Sequence, residues 1–270
     1  MINNMLNIFE SGARGWVRAA ALVSVLAATA GCGTKEAPSP LEPTGPQGRI
    51  RFVNVITDPA RIPVNAILER VPFGVNLGYT ASTPASLPAP STANYVAILA
   101  GDRTLVLKKT ADTAVTVATF TITVASGEDR TVYAVGGTGG AAVTSFSTKD
   151  TNVAPPAGQV RIRVVNVSPA AGAIDAFVTA PNADLSTATP VASGLAPQSA
   201  AVYVSIAALS AYQFRAVPAG TAPANRSANV IVSITPTPPL PLLAGTGRTF
   251  VVADNSAGGT PLRAFVLTDR

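Results

Sequence analysis

The stretch Arg49-Ile-Arg-Phe-Val-Asn-Val-Ile56 occurs a second time, with small changes, as Arg161-Ile-Arg-Val-Val-Asn-Val-Ser168. Each copy follows a segment rich in proline and glycine, and each precedes a long series of short apolar segments separated by turn residues. Because matching residues of the two copies keep one constant spacing along the chain, the motif opens a repeated unit. Short apolar segments bounded by Gly, Pro, Asn and Asp are typical of β-strands. The sequence therefore predicts two similar all-β modules in tandem.

The composition of the chain agrees with this fold class. Hydrophobic residues make up 47% of the 270 residues and charged residues only 12%, a balance that favours a packed core over disorder. β-Branched side chains are abundant, and these pack well on pleated sheets. The spacing of the turns predicts about seven short strands in each module, which is typical of an Ig-like antiparallel β-sandwich. A pair of small barrels is the alternative that the sequence leaves open.

Changes in composition divide the chain into segments. We predict a signal peptide at residues 1–31, a lipidated cysteine with a Pro-rich tether at 32–47, a first sandwich domain at 48–150, a linker at 151–158 and a second sandwich domain at 159–270. A proline-rich tether is expected to be extended and to act as a spacer.

Within the modules, two segments are predicted to be loops and one to be a hairpin turn. Residues 70–92 and 236–247 are rich in proline or glycine, which favours loops. Ala100-Gly-Asp102 separates two apolar runs, as in a β-hairpin. The repeated opening strand is predicted to be the edge or first strand of its sandwich. The glycine cluster at 136–140 is predicted to be a hairpin connection, because neither a helix pattern nor a Gly-Lys-Ser/Thr ending follows it, as a phosphate-binding loop requires.

The leader ends at the single cysteine of the chain. Residues 19–30 are apolar except for Ser24 and Thr29, and this run is too short for a membrane-spanning helix, which needs about 20 residues. The sequence Thr29-Ala-Gly-Cys32 resembles a bacterial lipobox, in which the cysteine is lipidated and becomes the first residue of the mature protein. It departs from the usual pattern at Thr29, where leucine is preferred. A plain secretory signal is the alternative, but a lone free thiol is unusual in an exported protein.

These features predict both an attachment and a compartment. Acyl chains such as palmitate at Cys32 would hold the protein on a bacterial membrane, because more than one chain gives stable anchoring. The predicted location is the cell envelope, at the outer membrane or the surface if the bacterium is Gram-negative.

The absence of histidine limits the chemistry of the chain. No Ser–His or Cys–His pair and no imidazole metal site can form. The 14 acidic residues form no recognisable catalytic constellation. We therefore predict that the protein is not an enzyme and has neither a cofactor nor a metal site, with carboxylate-only catalysis as the least favoured alternative. The net charge is +5, but the basic residues are scattered and few aromatic residues accompany them, so we expect no nucleic-acid partner.

The opening strand carries the candidate binding residues of both modules. Because side chains alternate along a strand, Arg49 and Arg51 share one face, and so do Arg161 and Arg163. Such a pair could bind an acidic glycan or a lipid headgroup. An outward, solvated or edge-protecting face is the interpretation that we favour.

The other polar residues on these strands are interpreted as structural. Asn54 and Asn166 lie on the core-facing side, where an unpaired amide would cost about 1–3 kcal/mol. We therefore predict that each is hydrogen-bonded to a neighbouring turn. Asp175 lies between the core-facing residues Ile174 and Ala176, so it is predicted to point outward.

Several segments resemble a bacterial family catalogued as domain of unknown function 4397. They are Val160-Arg-Ile-Arg-Val-Val-Asn-Val-Ser-Pro169, Ile174-Asp-Ala-Phe-Val178, Leu99-Ala-Gly101 and Thr131-Val-Tyr-Ala-Val-Gly136. The resemblance covers both modules and departs from the family at Asn54 and Asn166, where histidine is frequent. It implies an exported, often lipid-anchored or surface-associated β-sandwich, and it implies no reaction.

Two functions follow from the sequence as hypotheses. The first is a non-catalytic cell-envelope lipoprotein whose tandem sandwiches have a structural, adhesion or recognition role. The second is a carbohydrate- or peptide-binding accessory module for an envelope enzyme or transporter. The expected partners are the membrane, through the N-terminal lipid, and an envelope protein or polysaccharide.

Overall fold

The computed structural model describes residues 45–84 and 95–269, and these belong to one compact unit. They form two β-sandwiches, which confirms the predicted all-β class. No α-helix occurs in this part of the chain, and its helical turns are short 3₁₀ segments at Thr138–Gly140, Pro223–Asn225 and Ser227–Asn229. The predicted signal peptide, Cys32 and most of the predicted tether lie outside the described residues.

The first sandwich consists of two packed sheets. Its strands are β1 Gln47–Ile56, β2 Val64–Leu68, β3 Val71–Leu77, β4 Ser82–Thr83, β5 Val96–Leu99, β6 Gly101–Lys109, β7 Asp112–Val124, β8 Asp129–Gly136 and β9 Val143–Asp150. The first inner sheet has the order β4-β1-β8-β9, with β5 also beside β1, and the first outer sheet has the order β3-β2-β6-β7. All pairs are antiparallel except β1 with β8, which is parallel.

The second sandwich repeats this topology. Its strands are β10 Gln159–Asn166, β11 Ile174–Thr179, β12 Ala192–Leu195, β13 Ser199–Ala200, β14 Val204–Ala207, β15 Gln213–Pro218, β16 Val232–Ile234, β17 Gly247–Ala253 and β18 Arg263–Thr268. The second inner sheet has the order β13-β10-β17-β18, with β14 also beside β10, and the second outer sheet has the order β12-β11-β15-β16. The pair β10 with β17 is parallel, as its counterpart is.

Each sandwich has its own apolar core between its inner and outer sheets. Phe120, Ile122 and Val124 of β7 are buried in the first core, as the alternation of that strand predicts. In the second core the rings of Phe214 and Phe250 stack with centroids 5.0 Å apart. Neither core needs a disulfide bond, so burial of apolar surface is the main source of stability.

Two local predictions were wrong. Residues 70–92 were predicted to be a loop, but they contain β3 and β4. Pro72 and Gly74 are tolerated because β3 is an edge strand with shifts of register. Ala100-Gly-Asp102 was predicted to form a hairpin, but β5 pairs with β1 in the inner sheet while β6 pairs with β2 in the outer sheet. This turn therefore carries the chain from one sheet to the other. The glycine cluster does connect the antiparallel strands β8 and β9, as predicted.

A third apolar cluster joins the two inner sheets. It contains residues of β1 and β8 from the first sandwich and of β10, β17 and β18 from the second: Val53, Val55, Tyr133, Val135, Val165, Val251, Ala253 and Leu267, with Val167 beyond the end of β10. The sheets therefore follow one another in the order outer, inner, inner, outer. Of the two positions predicted for β1, it is the first strand of its sandwich but not an edge strand, since it lies inside its sheet and every residue from Ile50 to Ile56 is buried.

Candidate functional site

Arg51 reaches from the first sandwich to the end of the last strand of the second. Only 1% of its surface is exposed. Its Nη2 donates to Asp269 Oδ1 at 2.8 Å and its Nη1 to the carbonyl oxygen of Thr268 at 2.8 Å. Its Nε donates to Thr131 Oγ1 of its own sandwich at 3.0 Å. The guanidinium thus binds both sandwiches at once.

Arg163 makes the equivalent bonds in the opposite direction. It is 3% exposed, and its Nη2 donates to Asp150 Oδ1 of the first sandwich at 2.6 Å. Its Nη1 donates to the carbonyl oxygen of Lys149 at 3.1 Å, and its Nε donates to Thr249 Oγ1 at 3.3 Å. Each arginine therefore binds the carboxylate and the preceding carbonyl at the end of the other sandwich.

The two aspartates are held by hydroxyl groups of their own sandwiches. Asp150 accepts hydrogen bonds from the hydroxyls of Tyr95 at 2.7 Å, Thr148 at 2.8 Å and Thr131. Asp269 accepts from the hydroxyls of Thr249 at 2.6 Å and Tyr203 at 3.2 Å. With the arginine bonds, both oxygens of each carboxylate have protein donors.

Burial and charge fix the protonation of the arginines and tyrosines. Burial is the largest single influence on Arg51 and lowers its pKa. The nearby charges, above all Asp269, together raise the pKa by more than burial lowers it, so the pKa of Arg51 lies above its ordinary value. The same balance, with Asp150, raises the pKa of Arg163. Burial raises the pKa of Tyr95 and Tyr203. Both arginines therefore stay charged and both phenols stay neutral around pH 7.

The prediction that Arg51 and Arg163 lie on an outward face was wrong. Both are buried between the inner sheets. Alternation along β1 and β10 separates two faces correctly, but it cannot show that a second sandwich covers the face opposite the core. A buried charge needs a partner, and the matching acids Asp150 and Asp269 supply it.

Arg49 and Arg161, the other two predicted arginines, differ from each other. Arg49 forms a two-point ion pair with Asp129, with Nε–Oδ1 at 2.6 Å and Nη2–Oδ2 at 2.5 Å. Asp129 is the residue opposite Arg49 in the β1–β8 pair. The residue opposite Arg161 in the β10–β17 pair is Gly247. Arg161 consequently forms no ion pair within the described ranges.

Arg161 instead packs on an aromatic ring at the side of a groove. Its Cζ lies 4.9 Å from the ring centroid of Tyr203, and its Nη1 donates weakly to the carbonyl of Val153 at 3.4 Å. The groove has a volume of about 490 Å³ and opens between β9 and the strands β10 and β13. Its lining residues are Phe146, Ser147, Thr148, Lys149, Thr151, Arg161, Arg163, Ala200, Ala201, Val202 and Tyr203.

The prediction for the two asparagines is confirmed. Asn54 Nδ2 donates to the carbonyls of Leu77 at 2.9 Å and Gly78 at 3.1 Å, and its Oδ1 accepts from the Ile56 amide. Asn166 Nδ2 likewise donates to two carbonyls, those of Leu195 at 3.1 Å and Gly172 at 2.8 Å, and its Oδ1 accepts from the Ser168 amide. Asp175 lies on the face away from the second core, as predicted, since Ile174 and Ala176 belong to that core and Asp175 does not, but it is buried rather than exposed.

Asp175 is buried because backbone donors surround it. It is 7% exposed and accepts from the amides of Gly194 at 2.8 Å and Gly220 at 3.1 Å. These amides belong to β12 and to the turn after β15, the two neighbours of β11 in its sheet, and the sequence spacing did not reveal them.

No group of three or more His, Cys, Asp or Glu residues that could hold a metal ion occurs among the residues described. The described ranges also contain no helix long and apolar enough to cross a membrane.

Comparisons with known proteins give one family match. No curated protein matches the chain. A solved structure of family 41 carbohydrate-binding modules from streptococcal virulence factors shares 11% identity, with 79% of this chain and 98% of that chain covered and a TM-score of 0.22. A leucine-rich repeat protein from Bacteroides thetaiotaomicron shares 11% identity, with 78% of this chain and 26% of that chain covered and a TM-score of 0.16. Likenesses this distant carry no functional argument. Residues 48–177, which span β1 to β10 and part of β11, match the model of the family described as Domain of unknown function (DUF4397).

Proposed function

We propose that the protein is a non-catalytic lipoprotein of the bacterial cell envelope, with two tandem sandwiches of the DUF4397 type that act as one rigid recognition or structural body. The observation that carries the proposal is the reciprocal bonding of Arg51 to Asp269 and of Arg163 to Asp150 between the sandwiches. Together with the apolar cluster of the inner sheets, these bonds favour a fixed arrangement of the two sandwiches.

The same bonds argue against catalysis at the buried cluster of Arg51, Arg163, Asp150 and Asp269. A general acid or base must reach the proton that it transfers. Asp150 and Asp269 are 5% and 3% exposed, and their oxygens are occupied by protein donors. The chain also lacks histidine. A role in binding or in envelope structure therefore suits these residues better than a role in a reaction.

The attachment to a membrane is proposed from the sequence of the leader. The apolar run that ends at Cys32 and the proline-rich segment after it fit an acylated cysteine and a spacer between the membrane and the first sandwich. The alternative function is an accessory module that binds a carbohydrate or peptide for an envelope enzyme or transporter. It requires the same location in the cell envelope.

Membrane fractionation tests this proposal. We expect the wild-type protein to sediment with membranes and Cys32→Ala to appear in the soluble fraction, because the acyl acceptor is lost. Ser24→Ala, which also changes the leader but keeps the cysteine, is the control and should sediment as the wild type does. Equal sedimentation of Cys32→Ala and the wild type would contradict the lipid anchor.

A further inference from the structure

We propose that the groove beside Arg161 binds an acidic polysaccharide through its carboxylate or sulfate groups. This inference rests on the recognition role proposed above and names the ligand class. The groove lies between the two sandwiches, with residues 146–149 and 151 on one side and Arg161 with residues 200–203 on the other. It therefore exists only where the sandwiches are held together.

The charges around the groove are the first argument. Arg51 and Arg163 are balanced by Asp269 and Asp150, and Arg49 is balanced by Asp129. Arg161 occupies the position of Arg49 in the second sandwich, but Gly247 stands where the acid would be.

The side chain of Lys149 does not add to this charge. Side chains alternate along β9, and those of Thr148 and Asp150 face the interface between the sandwiches, so Lys149 borders the groove through its backbone, whose carbonyl accepts from Arg163. Arg161 therefore leaves the groove with one uncompensated positive charge, which attracts an anion.

The geometry of Arg161 is the second argument. Its guanidinium lies over the ring of Tyr203, whose hydroxyl is in turn bonded to Asp269. Stacking of this kind orders the planar guanidinium before a ligand arrives, and a planar guanidinium suits the two oxygens of a carboxylate or sulfate. The groove volume of about 490 Å³ lies within the roughly 300–1,000 Å³ that is usual for ligand sites.

The shape of the site favours a polysaccharide over a lipid surface. A bilayer presents a flat surface of headgroups, and its recognition usually requires clusters of about four to eight basic residues. Here one unpaired guanidinium, that of Arg161, lies beside a concave groove whose wall also carries the exposed residue Thr151, which bears a hydroxyl group. Hydroxyl groups can exchange hydrogen bonds with the hydroxyls of a sugar chain.

Binding of defined polymers to the purified full-length protein in neutral detergent tests the inference. The probes are polygalacturonate for carboxylates, dextran sulfate for sulfates, unmodified dextran as the neutral polymer, and phosphatidylglycerol vesicles as the anionic surface. We expect binding of at least one acidic polymer, weakening as salt is added, and no binding of dextran.

Three variants and one control assign the binding to the groove. Arg161→Gln should weaken binding at least about tenfold, since a contact with a charged group is lost. Gly247→Asp should cause a similar loss because it restores the acid seen opposite Arg49. Gly247→Asn, which adds nearly the same volume without the charge, should bind as the wild type does. Arg263→Gln, which removes an exposed arginine of β18, is the charge-matched control and should also bind normally. Thermal unfolding shows whether each variant is folded.

The contrary outcomes are distinct. Wild-type affinity in Arg161→Gln and Gly247→Asp would overturn the groove site, and so would equal loss in Gly247→Asn and Gly247→Asp. Binding of the vesicles without binding of either acidic polymer would replace the polysaccharide with a membrane surface and overturn the inference. No binding of any polymer, with normal membrane fractionation of the wild type, would overturn the ligand class and leave the proposed lipoprotein intact.

Discussion

Arg51 Nη2 and Asp269 Oδ1 lie 2.8 Å apart although they belong to different sandwiches, and Arg163 Nη2 and Asp150 Oδ1 repeat the relationship at 2.6 Å. In this interface each sandwich contributes one arginine that binds an aspartate of the other sandwich. Two-fold symmetric dimers form interfaces of this kind. Here it lies within one chain. Buried ion pairs contribute little net stability after desolvation, whereas removal of one partner leaves an uncompensated charge.

Loss of one acid should therefore be costly. Asp150→Asn removes the charge that faces buried Arg163, and we expect the free energy of unfolding to fall by about 3–5 kcal/mol. Urea unfolding measures this change. Asp112→Asn, at an exposed position on β7, is the control and should change the free energy by no more than about 0.5 kcal/mol. A similar small change in both variants would show that the pair is not energetically important.

Arg163 and Asp150 should be coupled across the interface. If Arg163→Met and Asp150→Asn remove one shared interaction, the double variant should be less destabilised than the sum of the single variants. The difference is expected to be about 0.5–3 kcal/mol, measured by the same urea titrations. Additive effects would mean that the two residues act independently, contrary to their 2.6 Å contact.

The same chemical change should have different effects at two buried tyrosines. The hydroxyl of Tyr133 has no hydrogen-bond partner among the described residues, whereas the hydroxyl of Tyr95 donates to Asp150 at 2.7 Å. Tyr133→Phe keeps the stacked ring beside Phe146 and should leave stability unchanged or raise it. Tyr95→Phe should lower the free energy of unfolding by about 1.5–3 kcal/mol, because it breaks a bond to a charged group. Equal losses in thermal or urea unfolding would contradict this assignment.

The tyrosines also predict how stability depends on alkaline pH. Burial is the main cause that raises the pKa of all five tyrosines of the chain, Tyr79, Tyr95, Tyr133, Tyr203 and Tyr212. The pKa of each tyrosine in the folded state is thus above the unfolded value of about 10. The neutral phenols therefore contribute fully to the stability of the fold below about pH 10, and this contribution is lost as the pH rises further. Absorbance at 295 nm should therefore rise together with unfolding, and a free titration near pH 10 in the folded protein would contradict the burial.

Much of the fold could be predicted from the repeated opening strand. The period of two along β1 and β10 separated the arginines from the core-facing residues, and it identified Asn54 and Asn166 as internal hydrogen-bonding groups. These predictions succeeded because they depend on neighbours within one sandwich. The same reasoning gave the all-β class, since turn residues separate short apolar segments throughout both modules.

The interface between the sandwiches could not be predicted in the same way. Alternation marks the face opposite the core but does not tell whether water or another sheet covers it. The sequence did contain one indication that both faces of β1 are covered. Residues 52–56 are apolar except for Asn54, which is typical of strands buried on both faces. The second signal was the pair of matching acids, Asp150 and Asp269, at the end of each module. Their pairing with Arg51 and Arg163 depends on contacts that are distant in the sequence.

Differential scanning calorimetry of the full-length protein tests the central claim, that the two sandwiches form one cooperative body. We predict a single transition whose calorimetric and van't Hoff enthalpies are equal, because the inner sheets share a buried cluster and reciprocal ion pairs. Two separable transitions, or a calorimetric enthalpy near twice the van't Hoff value, would show that the sandwiches unfold independently and would contradict the account.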